Sequence, residues 1–342
     1  MIRFMHSASA AAEFLGIETP PEWMAVDKIY PVLANSYYLG LIDRNNGFDD
    51  PVLRQILPDD AELDDLSSEF DPLAEAQQMI APRMIRRFYD RVVVLVTAKC
   101  AGHCRFCFRK RLWKSDAELN DISNRELEDM VAALKAHPEI EEVLLSGGDP
   151  MMLADERLIE IIRVFSELEQ IKVIRLGTRI PVMFPDRITG QLAEKLAEFE
   201  KLWILTHFNH PNEVTPESSN ACRKLISRGI WVLNQTVLLK GVNDSPEILE
   251  QLFRKLLAIK VKPHYLFHVD PVRGVRHFAT GIEPGLEVLR YLRGRLSSLG
   301  TPTFAIDLPE GGGKVALQPD YEENGCFWDI HNKKLIKYPD KE

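Results

Sequence analysis

The sequence predicts an α/β protein: a partial (β/α)6 barrel of the TIM type, preceded by a helical N-terminal extension and followed by a C-terminal segment. Two observations carry this expectation. From Arg91 onward, short apolar runs recur near 92–97, 142–146, 172–176, 202–206, 230–235 and 264–269, and the gaps between them hold longer amphipathic stretches. Apolar runs of about four to eight residues alternating with helical periodicity are the pattern of βαβ units around a parallel sheet. The runs also end alike, in polar or glycine-containing segments, as strands do at the C-terminal face of α/β barrels. A doubly wound open sheet is the architectural alternative.

Along the chain, residues 1–88 show no clear strand series. Acidic and proline-containing stretches, such as Asp49-Asp50-Pro51 and 58–65, mix with short helical patterns and suit a helical layer packed on a later core. Residues 89–285 hold the barrel units. Val92 to Thr97 reads as a buried strand. The later runs end in Ser146-Gly147-Gly148-Asp149-Pro150, Arg175-Leu176-Gly177-Thr178-Arg179, Thr206-His207-Phe208-Asn209-His210, Asn234-Gln235-Thr236 and His268-Val269-Asp270. Helical periodicity fills 124–136, 155–168, 191–199 and 246–259. One polar strand end would be an ordinary cap; five of them in sequence describe a lined cavity. Residues 286–342 form the C-terminal segment.

Composition narrows the class. Of 342 residues, 45% are hydrophobic and 27% charged, a balance that suits a soluble globular enzyme with a large core. The net charge of −9 disfavours a nucleic-acid partner. No apolar run reaches the roughly 18 residues of a membrane span, and the first residues lack the sustained apolar stretch of a signal peptide.

Three cysteines carry the chemistry. Cys100-Ala101-Gly102-His103-Cys104-Arg105-Phe106-Cys107 follows the first buried run with the spacing Cys-x3-Cys-x2-Cys. Three thiolates can hold an iron–sulfur cube that ordinarily takes four, leaving one iron open. The loop resembles that of radical-SAM enzymes, where S-adenosylmethionine (SAM) binds the open iron. Zinc is the alternative, with His103 as a fourth ligand. Cys222 and Cys326 lie far away, and an odd, sparse set of five argues against a disulfide framework. Reduced thiols and an oxygen-sensitive cluster fit the cytoplasm. The basic stretch from Arg105 to Lys114 suggests an anionic ligand near the cysteines. Gly147 and Gly148 let backbone approach a ligand closely, with Asp149 placed to accept from an amine or an ordered N–H. An acidic capped turn is the plainer reading of that segment. Near the C-terminus, Gly311-Gly312-Gly313-Lys314 could cradle a phosphate or offer an amine to pyridoxal 5′-phosphate (PLP). It is not a Walker loop, since Val315 follows the lysine. Alone, it equally describes a surface turn.

Taken together, the segment from about Arg83 to Tyr321 resembles the lysine 2,3-aminomutase family of radical-SAM, PLP-dependent enzymes. The matching stretches are the cysteine loop, 144–150, 175–181, 206–213, 234–244, His277-Phe278 and 307–314. The resemblance implies a radical-SAM barrel with a [4Fe–4S] cluster on Cys100, Cys104 and Cys107, and Lys314 as the PLP lysine. It implies that Ser146, Gly147, Gly148, Asp149, His207 and Gln235 line the SAM and substrate cavity. Arg87, Arg175 and Arg179 become candidates for holding PLP. Arg109 becomes the group for the substrate α-carboxylate, a role that a planar guanidinium suits. Asp270 and Asp307 align with the pair that grips the ε-ammonium in lysine-using members, whereas glutamate-using members need a cation or amide there. The implied reaction moves the α-amino group of L-lysine to the β-carbon. A flavodoxin or ferredoxin as electron donor and a homo-oligomeric state come with the resemblance.

Two departures stand out. Glu310 replaces a glycine of the family's loop, where its charge would repel a phosphate unless turned outward. Ser245 stands where longer members have a zinc-binding cysteine, so no structural zinc is expected. The readings left open are another cationic substrate such as arginine or ornithine, β-lysine supply for elongation factor P, and a cluster- and SAM-binding protein without aminomutase activity.

Overall fold

The computed structural model describes residues 2–65, 68–114, 121–331 and 333–339. A few residues of the expected 1–88 and 286–342 segments therefore lie outside the described residues. Among those described, a ten-stranded sheet forms the centre. Its strands are β1 (Met79–Ala81), β2 (Met84–Ile85), β3 (Arg91–Thr97), β4 (Glu142–Gly147), β5 (Val173–Gly177), β6 (Leu202–Thr206), β7 (Trp231–Leu238), β8 (Lys262–His268), β9 (Thr303–Leu308) and β10 (Gly313–Leu317). Neighbours in the sheet are neighbours in the chain, without reversal. A doubly wound sheet reverses at its switch point, so the partial barrel is the architecture. Strands β3 to β9 are parallel, and antiparallel pairs finish both edges.

Helices α1 (Asn124–Ala136), α2 (Asp155–Ser166), α3 (Gly190–Ala197), α4 (Pro216–Ile226), α5 (Pro246–Ala258) and α6 (Ile282–Arg293) follow β3 to β8 in turn. Each buries one stripe, as Leu158, Ile159, Ile161, Ile162 and Phe165 do on α2. Helix α1 starts where a capping box says it should: Ser123 accepts from the Glu126 N–H, and the Glu126 carboxylate answers at the Ser123 N–H.

Strand parity decides what faces the cavity. Val92, Val94, Val143, Leu145, Ile174, Leu176, Ile204 and Val232 are buried under the helices. Their alternates Val93, Leu144, Arg175, Trp203 and Trp231 share one lateral row on the other face. Period-two alternation thus turns a charged arginine onto the cavity face of the sheet, where it pairs with Glu142, rather than into the core under the helices.

Two features go beyond the sequence expectation. The C-terminal segment supplies a seventh parallel strand, β9, and its hairpin partner β10, so Lys314 sits on the sheet itself. The extension is also not wholly helical: beside helices Ala8–Leu15 and Pro21–Ile29 it contributes β1 and β2 to the sheet edge. One hydrophobic cluster runs from Met5 to Phe304, joining extension and barrel. No described helix is long and apolar enough to cross a membrane.

Candidate active site

The cysteine loop leaves β3 and folds back under the extension. Burial, then the neighbouring thiols Cys107 and Cys104 and the carboxylate of Asp149, push the Cys100 thiol well above its ordinary range. Burial and Cys104 push Cys107 up to about 11. Neighbouring thiols thus oppose the ionisation of Cys100 and Cys107, which binding to a cationic centre would deprotonate. Among the described residues no three His, Cys, Asp or Glu side chains are gathered around a single-ion position, and an iron–sulfur cube spans a wider set of ligands. His103 is turned away from the thiols: its Nδ1 is 2.8 Å from the Pro31 carbonyl and its ring stacks on Trp113.

Carboxylates and amides of the extension hold this loop. Asn35 Nδ2 donates to the Ala101 carbonyl at 2.9 Å, and the Arg105 N–H donates to the Gln55 carbonyl at 2.8 Å. Glu62, buried, accepts from Arg105 Nη2 at 2.7 Å and from Lys110 Nζ at 2.6 Å. Glu75 accepts from Arg109 Nη2 at 2.6 Å and from Arg111 Nη2 at 2.7 Å. Burial would raise the Glu75 carboxyl, but Arg109 and Arg111 outweigh it and hold it down at about 2. The basic stretch thus has partners that the sequence reading did not foresee: Arg105, Arg109, Lys110 and Arg111 pair with two glutamates of this chain. Arg109 retains a link to the strand ends, its Nη1 donating to Ser146 Oγ at 3.0 Å.

The glycines at the end of β4 have a different immediate reason from the one expected. A Cβ on Gly147 would lie 2.2 Å from the Thr97 carbonyl oxygen, and one on Gly148 2.3 Å from that of Lys99. They are needed where this strand end meets the base of the cysteine loop. Asp149 acts first as a clasp, accepting from Thr178 Oγ1 and the Arg179 N–H at 2.7 Å and from the Met151 N–H at 3.0 Å. Burial still pushes its carboxyl up to about 6. His207 is held down at about 3 by burial and by the nearby Arg179, with Nε2 3.0 Å from Asn209 Oδ1. Gln235 is half-buried between the buried Asn234 and Thr236, so strand parity turns it to the cavity face. Arg179 is the clearest correction: it lies at the cysteines, donating from Nη1 to Cys104 Sγ at 2.8 Å, and not beside Lys314.

At the far end, Lys314 stands opposite Asp307 in the β9–β10 register. Its Nζ lies 4.2 Å from the Phe267 ring centre and 4.6 Å from that of Tyr265. Burial lowers its pKa; Asp307 opposes, while Arg175, Arg91 and Arg87 add to the lowering. Arg87 pairs with Asp307 at 3.3 Å, yet Arg87 Nε and Arg175 Nε are buried without a partner. A depressed amine against two aromatic faces, near Arg87 and Arg175 whose Nε donors find no partner among the described residues, fits a phosphate-bearing aromatic aldehyde. Asp270 is pushed up to about 7 by burial and by Asp307, against Arg87 and Lys314. It also acts on Arg109, so one continuous field runs from Cys107 through Arg109, Asp270 and Asp307 to Lys314. Glu310 is exposed at φ 55°, its N–H on the Pro72 carbonyl at 3.0 Å, and so points outward.

Sequence reasoning missed Glu62, Glu75, Arg91, Tyr265 and Phe267. For the last three a signal existed: alternation along β3 and β8 places them on one face.

Residues 94–252 match the family model described as the radical SAM superfamily. A solved radical SAM methyltransferase from Sphaerobacter thermophilus has a similar fold, with a TM-score of 0.50 and 20% identity over 66% of this chain and 68% of that one. Fold and cysteine loop together define the class, a radical-SAM enzyme. Residues 289–323 match a model described as lysine-2,3-aminomutase. The chain is 45% identical over 316 residues to an Aquifex aeolicus protein provisionally named L-lysine 2,3-aminomutase, covering 91% of this chain and 85% of that one. It is 38% identical over 324 residues to the L-lysine 2,3-aminomutase of Acetoanaerobium sticklandii, covering 93% and 76%. The chain belongs to the lysine 2,3-aminomutase family.

Proposed function

We propose that this protein is an L-lysine 2,3-aminomutase, which moves the α-amino group of L-lysine to the β-carbon to give β-lysine. The observation that carries the reading is the coupled carboxylate pair Asp270 and Asp307 beside Lys314, in the cavity that Arg109 also borders. Both carboxylates are half-buried and Arg87 pairs with Asp307 alone at 3.3 Å, so the ε-ammonium of lysine would supply a second cation beside Asp270.

Cys100, Cys104 and Cys107 would hold the [4Fe–4S] cluster; Ser146, Gly147, Gly148, Asp149, His207 and Gln235 line the cavity on the SAM side. Arg87 and Arg175 would take the PLP phosphate through their unpartnered Nε groups, with Tyr265 and Phe267 against the ring. When bound, the cluster with SAM supplies a radical that removes and returns hydrogen, and PLP supplies the carbonyl that carries the migrating nitrogen. Lys314 must present a neutral Nζ, which burial and the three arginines favour. Arg109 orients the α-carboxylate while Glu75 fixes its guanidinium. Asp270, near neutrality, holds or gives up a proton as the ammonium arrives. The reaction draws its electron from an outside donor of flavodoxin or ferredoxin type. A cytoplasmic homo-oligomer completes the proposal.

The test is a spectral titration. PLP added to the protein gives a visible band that survives gel filtration, and Lys314→Ala removes it. No band in the wild-type protein at saturating PLP would overturn the reading.

A further inference from the structure

We propose that Arg179 is a positioning residue for the cluster: its guanidinium hydrogen-bonds the Cys104 sulfur and raises the cluster's reduction potential. The inference rests on the cysteine loop holding an iron–sulfur cluster, and it concerns a residue that the sequence reading had assigned to PLP.

Geometry fixes the guanidinium completely. Arg179 Nη2 donates to Glu213 Oε1 at 2.7 Å, to Gln55 Oε1 at 2.6 Å and to the Tyr38 hydroxyl oxygen at 3.1 Å. Nε donates to the His207 carbonyl at 3.2 Å, which leaves Nη1 aimed at Cys104 Sγ at 2.8 Å. Arg179 is 7% exposed, and Tyr38, Gln55 and Glu213 are fully buried. Glu213 is itself held by the N–H groups of Asn209 and His210. Glu213 neutralises the charge, but a guanidinium carries five N–H donors, and the partner found for Nη1 is Cys104 Sγ. Spending Nη1 on a thiol is a poor use of a donor, since neutral sulfur accepts weakly; on a metal-bound thiolate the same contact is charge-assisted.

The physical consequence has a sign. Reduction adds one electron from the external donor to an already anionic cluster–thiolate assembly, with no proton required. A fixed cation on one ligand sulfur stabilises the reduced form more than the oxidised one, and hydrogen bonds to cluster sulfurs are a recognised determinant of potential. Removing that donor moves the potential to more negative values, so less cluster is reduced at a given donor potential.

The experiment uses reconstituted full-length protein. Iron and sulfide content and the cluster's visible spectrum come first; if the wild type holds no cluster, the underlying assignment fails, which is separate from the role of Arg179. With the cluster present, potentiometric titration read by electron paramagnetic resonance compares wild type with Arg179→Lys and Arg179→Gln. Both variants are expected to titrate at more negative potential, Gln further than Lys. Protein labelled with guanidino-15N arginine is expected to show a nitrogen coupling in the pulsed spectrum of the reduced cluster, lost in Arg179→Lys. If the variants do not load iron, the wild-type coupling decides. Unshifted potentials in loaded variants, or no coupling in loaded wild type, would overturn the proposal.

Discussion

Glu62→Gln tests how the extension governs the cysteine loop. Glu62 is 1% exposed and accepts four bonds: from Arg105 Nε at 2.9 Å, Arg105 Nη2 at 2.7 Å, Lys110 Nζ at 2.6 Å and the Asp59 N–H at 3.1 Å. Burial would raise its carboxyl, but Arg105 and Lys110 outweigh that and hold it below the usual range. Removing the charge leaves two buried cations on one loop. Breaking a buried pair at one partner costs about 3–5 kcal/mol. The amide oxygen still accepts a bond, and Lys110, already down to about 8 through burial, can shed its proton. The loss therefore falls at the lower end, about 3 kcal/mol. Because the folded pKa is depressed, the stabilisation is present above the unfolded value of about 4.3 and is lost as pH falls through the folded one. Anaerobic urea unfolding at pH 7 and at pH 4 reads both effects, with iron per chain after reconstitution as the second readout. A loss below about 1 kcal/mol at pH 7, the range of exposed pairs, would refute the reasoning.

Two further outcomes follow from the same geometry. Glu310→Gly relieves a left-handed backbone at an exposed position and should stabilise the chain by about 1 kcal/mol in urea titration, without weakening PLP binding; a loss of stability would contradict it. Asp270, raised to about 7, must be ionised to hold an ammonium. Hence kcat/KM for L-lysine should fall as pH drops below about 7, and Asp270→Asn should abolish that inflection while raising KM; an inflection that persists in the variant would contradict the assignment.

The parts of the site legible in the sequence are those written locally. The Cys-x3-Cys-x2-Cys spacing, the glycines before Lys314 and the polar ends of the apolar runs all lie within a few residues of one another, and period-two burial orders the strands. What escaped was set by pairing across the chain. Glu62 meets Arg105 and Lys110 across 43 and 48 positions, and Glu75 meets Arg109 across 34. In sequence Glu62 falls in the acidic stretch 58–65 and Glu75 lies beyond it, and neither has a local pattern that names its distant partner. Arg179 was misplaced for a related reason: a strand end shows which residues reach the cavity mouth, not whether they turn to Cys104 or to Lys314. Strand β9 was overlooked because Thr303 to Leu308 runs straight into the glycine turn, whose signal drew the segment's reading.

The most direct measurement is anaerobic turnover of reconstituted protein with SAM, PLP and a strong reductant on L-lysine, L-arginine, L-ornithine and L-glutamate, with isomers of unchanged mass resolved by chromatography. Conversion of L-lysine to β-lysine, lost in Asp307→Asn, is the predicted result. Isomerisation of L-glutamate in place of L-lysine would contradict the carboxylate-pair reading at its centre.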